Sequence, residues 1–245
     1  MLRWKKEEAA VIANRLLLIE DDEEIAAMLR PFLLKEGFEV TTARDGLEGV
    51  ILYGQAKYDI VVVDLMMPKL DGIEVIKRIR EHSSVPILIM SAKDSDVDKA
   101  LGLGFGADDY IAKPFSLIEF AARLKAAVRR ATVYANREVK QEEQGDIIHQ
   151  YSGLTVNLSN YSVMKHDVEM KLTSKEFEIL KLFVTNPSRV FTKAQIYGFV
   201  WQDDYYGDEN VINVHIRRLR EKIEDNPSEP KHLKTLWGIG YKWEA

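Results

Sequence analysis

Glu20 with Asp21, then Asp64, Ser91 and Lys113 are far apart in the chain, yet each stands at the carboxyl end of a short apolar run. The run DIVVVDLMMPKLDG (59–72) raises the question most sharply. Its aliphatic stretch is dense enough for a strand buried on both faces, and it delivers a carboxylate, Asp64, to its end. Burying an unpaired charge costs several kcal/mol or shifts its pKa. Asp64 therefore caps something or does chemistry. RLLLIE delivers Glu20, followed by Asp21 and Asp22; PILIMSAK delivers Ser91; DDYIAKPF delivers Lys113. Several carboxylates, one hydroxyl and one lysine make neither a nucleotide cradle nor a proton relay. The first loop lacks the glycines of a phosphate-binding loop, and its acids would repel a bare phosphate. A hard cation removes that repulsion, because Mg²⁺ takes carboxylates, carbonyls and waters and bridges to phosphoryl oxygens. With the metal held by Asp21, Asp64 becomes a carboxylate nucleophile attacking phosphorus in line. Lys113 and Ser91 then neutralise or hydrogen-bond the remaining phosphoryl oxygens. Taken singly, such residues are ordinary caps and turn formers. Four strand ends carrying the parts of one site argue otherwise.

These ends must be brought together by alternating elements. Strand-like RLLLIE is followed by a helix with Ile25, Leu29, Phe32 and Leu33 on one face, stopping at Gly37. The alternation continues through FEVTTA, a helix to about Ala56, DIVVVD, a helix holding Ile73, Ile76 and Ile79, PILIM, a weak Gly-rich helix around 96–106, DDYI, and a helix opened by Ser116 with Glu119 three residues on. Five strand and helix pairs predict an α/β doubly wound five-stranded parallel sheet. Ligands of such sheets bind beyond the carboxyl ends of the strands, where the strand order reverses.

At 245 residues the chain is comfortable for two domains. It has no cysteine, which excludes disulfides, thiol catalysis and cysteine-ligated zinc. No apolar run approaches the roughly 18 residues of a membrane span. The start, MLRWKKEEAAVIAN, is charged where a signal peptide needs its apolar core, so residues 1–14 read as an extension of a cytoplasmic protein. The net charge of −5 is unevenly spread: residues 1–146 carry 21 basic against 26 acidic side chains, and residues 147–245 carry 13 against 13. Residues 131–146, ATVYANREVKQEEQGD, have little apolar content and no usable period, as a linker does. The domains are expected at 15–130 and 147–245.

The second domain changes pattern. IIHQY, LTVNL, YSVMKH and VEMKL predict a small antiparallel sheet. LTSKEFEILKLFVTN starts at Thr173 with Glu176 in the capping-box position, and FTKAQIYGFVW repeats the device with Thr192 and Gln195. In VINVHIRRLREKI an apolar stripe of Ile212, Ile216, Leu219 and Ile223 opposes Asn213, Arg217, Arg218 and Arg220. The hairpin HLKTLWGIGYKW follows, flanked by Lys234 and Lys242. An arginine-rich third helix followed by such a hairpin predicts a winged helix-turn-helix, with the helix in a major groove and the wing on phosphates or the minor groove.

IEDDE, VVVDLMMPKLDG, IMSAK and GADDYIAKPF closely resemble the receiver domain of two-component response regulators over nearly all of residues 15–130. LTSKEFEIL, INVHIRRLREKI and WGIGYKW resemble the winged-helix effector domain of the OmpR/PhoB type. The resemblance implies a cytoplasmic regulator of transcription, not an enzyme, whose Asp64 accepts a phosphoryl group from a sensor histidine kinase. It implies Mg²⁺ bound by Asp21, Asp64 and the Met66 carbonyl, with Glu20 helping through water. It makes Ser91 the switch hydroxyl, Lys113 the phosphate-contacting lysine and Tyr110 an aromatic that swings inward. On double-stranded DNA it implies Arg218 and Arg220 as base or groove readers, His215 and Arg217 as backbone clamps, and Thr235 and Tyr241 as wing contacts. Trp237 stands where some members place an arginine. The loop QDDYYGDEN (202–210) occupies the place where some members meet RNA polymerase. Phosphorylated members pair through the face made by the helix around 96–106, the fifth strand and the following helix. There this chain offers Lys99 with Glu119, Asp109 with Arg123, and Asp108 with Arg130. A haloacid-dehalogenase-like phosphatase also uses an aspartate nucleophile, but that chemistry wants a second aspartate two residues on, where Met66 stands.

Overall fold

The computed structural model describes residues 13–92, 102–137, 147–201 and 209–244. Five parallel strands, β1 (Asn14–Ile19), β2 (Phe38–Ala43), β3 (Ile60–Asp64), β4 (Ile87–Ser91) and β5 (Asp109–Ala112), form one sheet in the order β2-β1-β3-β4-β5. Helices α1 (Glu23–Lys35), α2 (Gly46–Gln55), α3 (Gly72–Arg80) and α4 (Leu117–Arg137) belong to this domain. Alternate strand residues feed two apolar clusters. Leu17, Ile19, Val61, Val63 and Ile89 face one side, and Leu16, Leu18, Val62, Leu88 and Met90 face the other with Phe120 and Leu124 of α4. Every residue of β3 and β4 is buried, as a sheet covered on both faces requires.

Local chemistry fixes where the helices begin. Asp22, Asp45 and Asp71 are the N-caps of α1, α2 and α3, and each accepts hydrogen bonds from first-turn amides. Asp22 is thus committed to a cap rather than to the acidic cluster beside it. On α3, Val75, Ile76 and Ile79 are the buried apolar residues, while Ile73 is only partly covered. The last helix runs on to Arg137, well into the stretch read as a linker from residue 131.

The second domain opens with a four-stranded antiparallel sheet of β6 (Ile148–Tyr151), β7 (Leu154–Asn157), β8 (Ser162–Lys165) and β9 (Val168–Glu169). Helices α5 (Ser174–Val184), α6 (Lys193–Trp201) and α7 (Glu209–Ile223) follow. Thr173 and Glu176 form the reciprocal capping box of α5, and Thr192 and Gln195 exchange the same pair of bonds at α6. All four residues of the α7 stripe are buried. The strands β10 (Val190–Phe191), β11 (Leu233–Leu236) and β12 (Gly240–Trp243) form a three-stranded sheet in the order β10-β12-β11, and β11 with β12 makes the wing. Gly240 is required at the wing's turn: a β-carbon there would lie 2.0 Å from the Phe191 carbonyl oxygen. None of the described helices is long and apolar enough to cross a membrane.

Candidate phosphoryl-acceptor site and DNA-binding face

The strand order reverses between β1 and β3, and the two ends that flank this point bring the acids together. One carboxylate oxygen from each of Glu20, Asp21 and Asp64 lies within 4.8 Å of the others. Glu20 and Asp64 are buried, at 2% and 6% exposure. The Lys113 ammonium reaches across from the end of β5 and stands 2.6 Å from Asp64 Oδ2 and 2.7 Å from Glu20 Oε2. The Met66 amide donates to the other Asp64 oxygen at 3.0 Å. Ser91 is fully buried at the end of β4, and Tyr110 on β5 is buried at 8% exposure. Gly72 presses so close to the Asp64 carbonyl oxygen that a β-carbon would stand 2.1 Å from it, so the acceptor strand and the start of α3 are locked together.

Burial raises the Glu20 pKa above the usual carboxylate range, and the hydrogen bond and charge of Lys113 offset part of that rise. Burial pulls the Lys113 ammonium down, but its hydrogen bonds to Asp64 and Glu20 outweigh it and hold the pKa above the ordinary lysine value. One lysine leaves an excess of negative charge among three clustered carboxylates. With hard oxygen donors clustered in this way, a small divalent cation fits the set of Glu20, Asp21 and Asp64.

In the second domain the expected DNA residues divide into three groups. Arg217 is open to solvent, its side chain 81% exposed, and it pairs with Glu221 at 3.0 Å. Arg220 donates to the Leu233 carbonyl and, at 2.8 Å, to Thr235 Oγ1, while the Tyr241 hydroxyl donates to Asn213 Oδ1 at 2.9 Å. These bonds fasten the wing to α7. Arg220 and Thr235 are half-buried and Tyr241 is buried, each bonded within the domain. Arg218 and His215 form the third group, turned toward the receiver. Arg218 stands 3.1 Å from the fully buried Glu176 carboxylate, and His215 is fully buried edge-on to Trp201, with ring centroids 5.1 Å apart. Burial, reinforced by the positive charges of Arg218 and Lys175, holds the His215 pKa well below the usual histidine value. Fully buried, His215 has no access to a DNA phosphate in this arrangement. The wing tip carries Trp237, 91% exposed, in place of a charged residue.

Two matches now account for both halves. Residues 16–125 match the response regulator receiver domain family, and residues 167–243 match the family described as transcriptional regulatory protein, C terminal. A protein of Bacillus subtilis (strain 168), described as the uncharacterized transcriptional regulatory protein YcbL, is 56% identical over 226 residues, which covers 92% of this chain and 98% of the relative. The chain is an OmpR/PhoB-family response regulator. The alkaline phosphatase synthesis transcriptional regulatory protein PhoP of the same organism is 41% identical over 234 residues, covering 94% of this chain and 97% of that one. Among solved structures, a mutant of RitR aligns over 94% of this chain and 99% of its own with a TM-score of 0.71 at 22% identity, a likeness of fold. A response regulator of this family is a DNA-binding regulator of transcription, not an enzyme, and its acidic receiver pocket of Glu20, Asp21 and Asp64 is typical of a Mg²⁺ site.

The paired charges expected on the dimerising face are distributed differently from the sequence reading. Asp109 and Arg123 do meet, at 3.2 Å, but within one chain, and Arg123 also pairs with Glu119 at 3.0 Å. Asp108 is buried at 4% exposure, 2.7 Å from Arg80, and so is withdrawn from the surface pairing with Arg130. Lys99, Lys93 and the loop 202–208 lie outside the described residues, as does the side chain of Arg130. Three residues with roles in these contacts escaped the sequence: Arg80, the partner of Asp108; Glu176, legible as a cap but not as the anchor of Arg218; and Tyr197 of α6, which hydrogen-bonds Arg123 and gave no signal at all.

Proposed function

We propose that a sensor histidine kinase phosphorylates Asp64 with Mg²⁺ bound by Asp21, Asp64, the Met66 carbonyl and, through water, Glu20. The observation that carries this is the meeting of Asp64 with Glu20, Asp21 and Lys113 at the sheet's switch point, in a chain that ends in a winged helix. The Asp64 carboxylate attacks phosphorus and the donor's leaving group departs, giving an acyl phosphate. Mg²⁺ supplies charge neutralisation at the developing phosphoryl oxygens. Lys113, already within ion-pair distance of Asp64, takes a phosphoryl oxygen, and the Ser91 hydroxyl takes another. Tyr110 then turns further inward. Arg218, Arg217 and the wing engage DNA in the cytoplasm, and the segment QDDYYGDEN (202–210) is the one that would meet RNA polymerase.

Dimerisation links the two events. Asp109 and Arg123, paired within one chain at rest, exchange partners across a twofold axis together with Glu119 and Lys99. Two effector domains then reach half-sites about 10 to 11 base pairs apart. Losing one such pair would only weaken a dimer, so reversing a charge, which sets like charges together, is the decisive substitution. After treatment with a phosphodonor and Mg²⁺, the parent chain should sediment as a dimer and Arg123→Asp as a monomer, with Asp109→Arg/Arg123→Asp recovering part of the dimer. Equal dimerisation of Arg123→Asp and the parent would remove this face from the reading.

The lifetime of the acyl phosphate follows from its neighbours. Met66, two residues beyond the acceptor and 56% exposed, cannot hydrogen-bond an attacking water, and Lys93, two beyond Ser91, can donate but not act as a base. Self-dephosphorylation should be slow, on the order of minutes to hours, when followed by intact mass. A half-life of a few seconds in the purified protein contradicts it.

A further inference from the structure

The tip of the wing is apolar. Trp237 is 91% exposed and Ile239 60%. They stand on either side of Gly238, which takes a left-handed backbone (φ +74°) in a turn closed by the Ile239 amide on the Leu236 carbonyl at 2.9 Å. The cations of the wing are engaged elsewhere. Lys242 pairs with Glu244 at 2.6 Å, Lys234 donates to the Pro230 carbonyl, and Arg220 is held by the Leu233 carbonyl and Thr235 Oγ1. Behind the tip, β12 pairs with both β10 and β11, so the hairpin is stiff. A tryptophan covered by a partner buries about 150–250 Å², and large apolar side chains held together in solvent mark a contact surface.

The tip opens on the same side as one stripe of α7. A cleft of about 610 Å³ between the start of α6, α7 and the wing is lined by Lys193, Asn213, Arg220, Trp237 and Ile239. Asn213 lies one helical turn before Arg217, whose side chain is 81% exposed. A duplex that took this side of α7 into its major groove would bring the adjacent minor groove to the tip.

We propose that Trp237, backed by Ile239, is an uncharged wedge that enters the minor groove and selects a TA step by the low cost of unstacking it. The proposal rests on the reading above that the wing engages DNA, and adds what the wing selects there. A cation at the tip would draw on the negative potential of a narrow A-tract groove. An indole gains nothing from that potential. It needs a groove opened by unstacking, which is cheapest at flexible pyrimidine–purine steps, and apolar side chains pry such steps apart. At G·C pairs the guanine 2-amino group occupies the groove floor, which leaves TA as the open step. Because an apolar contact releases no counterion, this part of the affinity should not erode with salt.

The test uses the full chain with phosphodonor and Mg²⁺, and its probe is the duplex that the phosphorylated parent enriches from a random pool. The enriched set should carry a TA step at a fixed distance from the bases read by α7. Trp237→Ala removes an exposed side chain, so it should fold as the parent does and bind the selected duplex on the order of tenfold more weakly, with an unchanged salt slope. Trp237→Arg should recover affinity at low salt and steepen the slope by about one. Replacing the adenines of the step with 2,6-diaminopurine adds a 2-amino group in the minor groove and leaves the major-groove edge as it was. That replacement should weaken the parent about fivefold or more and Trp237→Ala less than about twofold. An enriched set without the TA step, equal binding by Trp237→Ala and the parent, a loss that comes with a shallower salt slope, or equal sensitivity of the two to diaminopurine overturns the wedge. So does a Trp237→Ala chain that binds a single half-site as the parent does but no longer sediments as a dimer, which places the tip between two copies of the chain. If the phosphorylated parent enriches no duplex at all, the DNA-binding reading itself fails and the wedge falls with it.

Discussion

Asp64→Asn should take up no phosphoryl group from a small-molecule phosphodonor, whereas the parent chain should gain one that hydroxylamine removes. The amide is nearly the same size as the carboxylate it replaces, so the strand and its packing survive, but it has no anionic oxygen to attack phosphorus. The loss should exceed the roughly 10²- to 10³-fold cost of deleting a single stabilising donor. Intact mass with and without Mg²⁺ reads both requirements at once. Chelation should halt labelling of the parent too, because Lys113 alone cannot balance the acids of the site, two of them buried. A phosphorylated product stable to hydroxylamine, or undiminished labelling of Asp64→Asn, would sink the mechanism. Substituting Lys113 is the less informative experiment: it removes a partner of both Glu20 and Asp64, and a lost phosphate contact could not be told from a rearranged pocket.

The receiver was legible because its site is written at the ends of strands. An apolar run that stops at a carboxylate, a hydroxyl or a lysine can be read one segment at a time, and parallel winding puts all the ends on one edge. The caps of α5 and α6 were equally legible, since a capping box is a relation between residues three apart. What was not legible lies where two elements meet from far apart. Asp108 looked like any surface charge until Arg80, 28 residues away, was seen to bury it. Arg218 and Arg220 occupy one arginine-rich stretch, and nothing local assigns one to the receiver and the other to the wing. The extension of α4 to Arg137 was missed for another reason. Residues 131–137 lack both an apolar period and a helix breaker, and a helix already nucleated by packing continues through such a stretch at little cost.

In the phosphorylated chain, Arg218→Ala should flatten sequence preference, while Arg217→Ala should weaken all sequences nearly alike. The two neighbours differ in what they can reach. Arg217 is already in solvent, held only by Glu221, and suits a phosphate; losing such a contact lowers the salt slope of binding by about one. Arg218 must first leave Glu176 and the Leu103 carbonyl, and a planar guanidinium in the major groove can then bind a guanine in two places. Its loss should cost about 1–3 kcal/mol at one base-pair position, roughly 5- to 150-fold between the preferred base and its competitors. Two side effects of the substitution act on every sequence equally. The resting contact with the receiver is weakened, and Glu176 keeps Lys222, at 2.5 Å, as its remaining cation. Both move the overall affinity or the melting temperature and leave the ratio between duplexes unchanged. The ratio is therefore the quantity to measure: affinities for the selected duplex and for its single-base variants, at two salt concentrations. If Arg218→Ala keeps the parent's ratios, α7 reads sequence through another residue or does not read it at all.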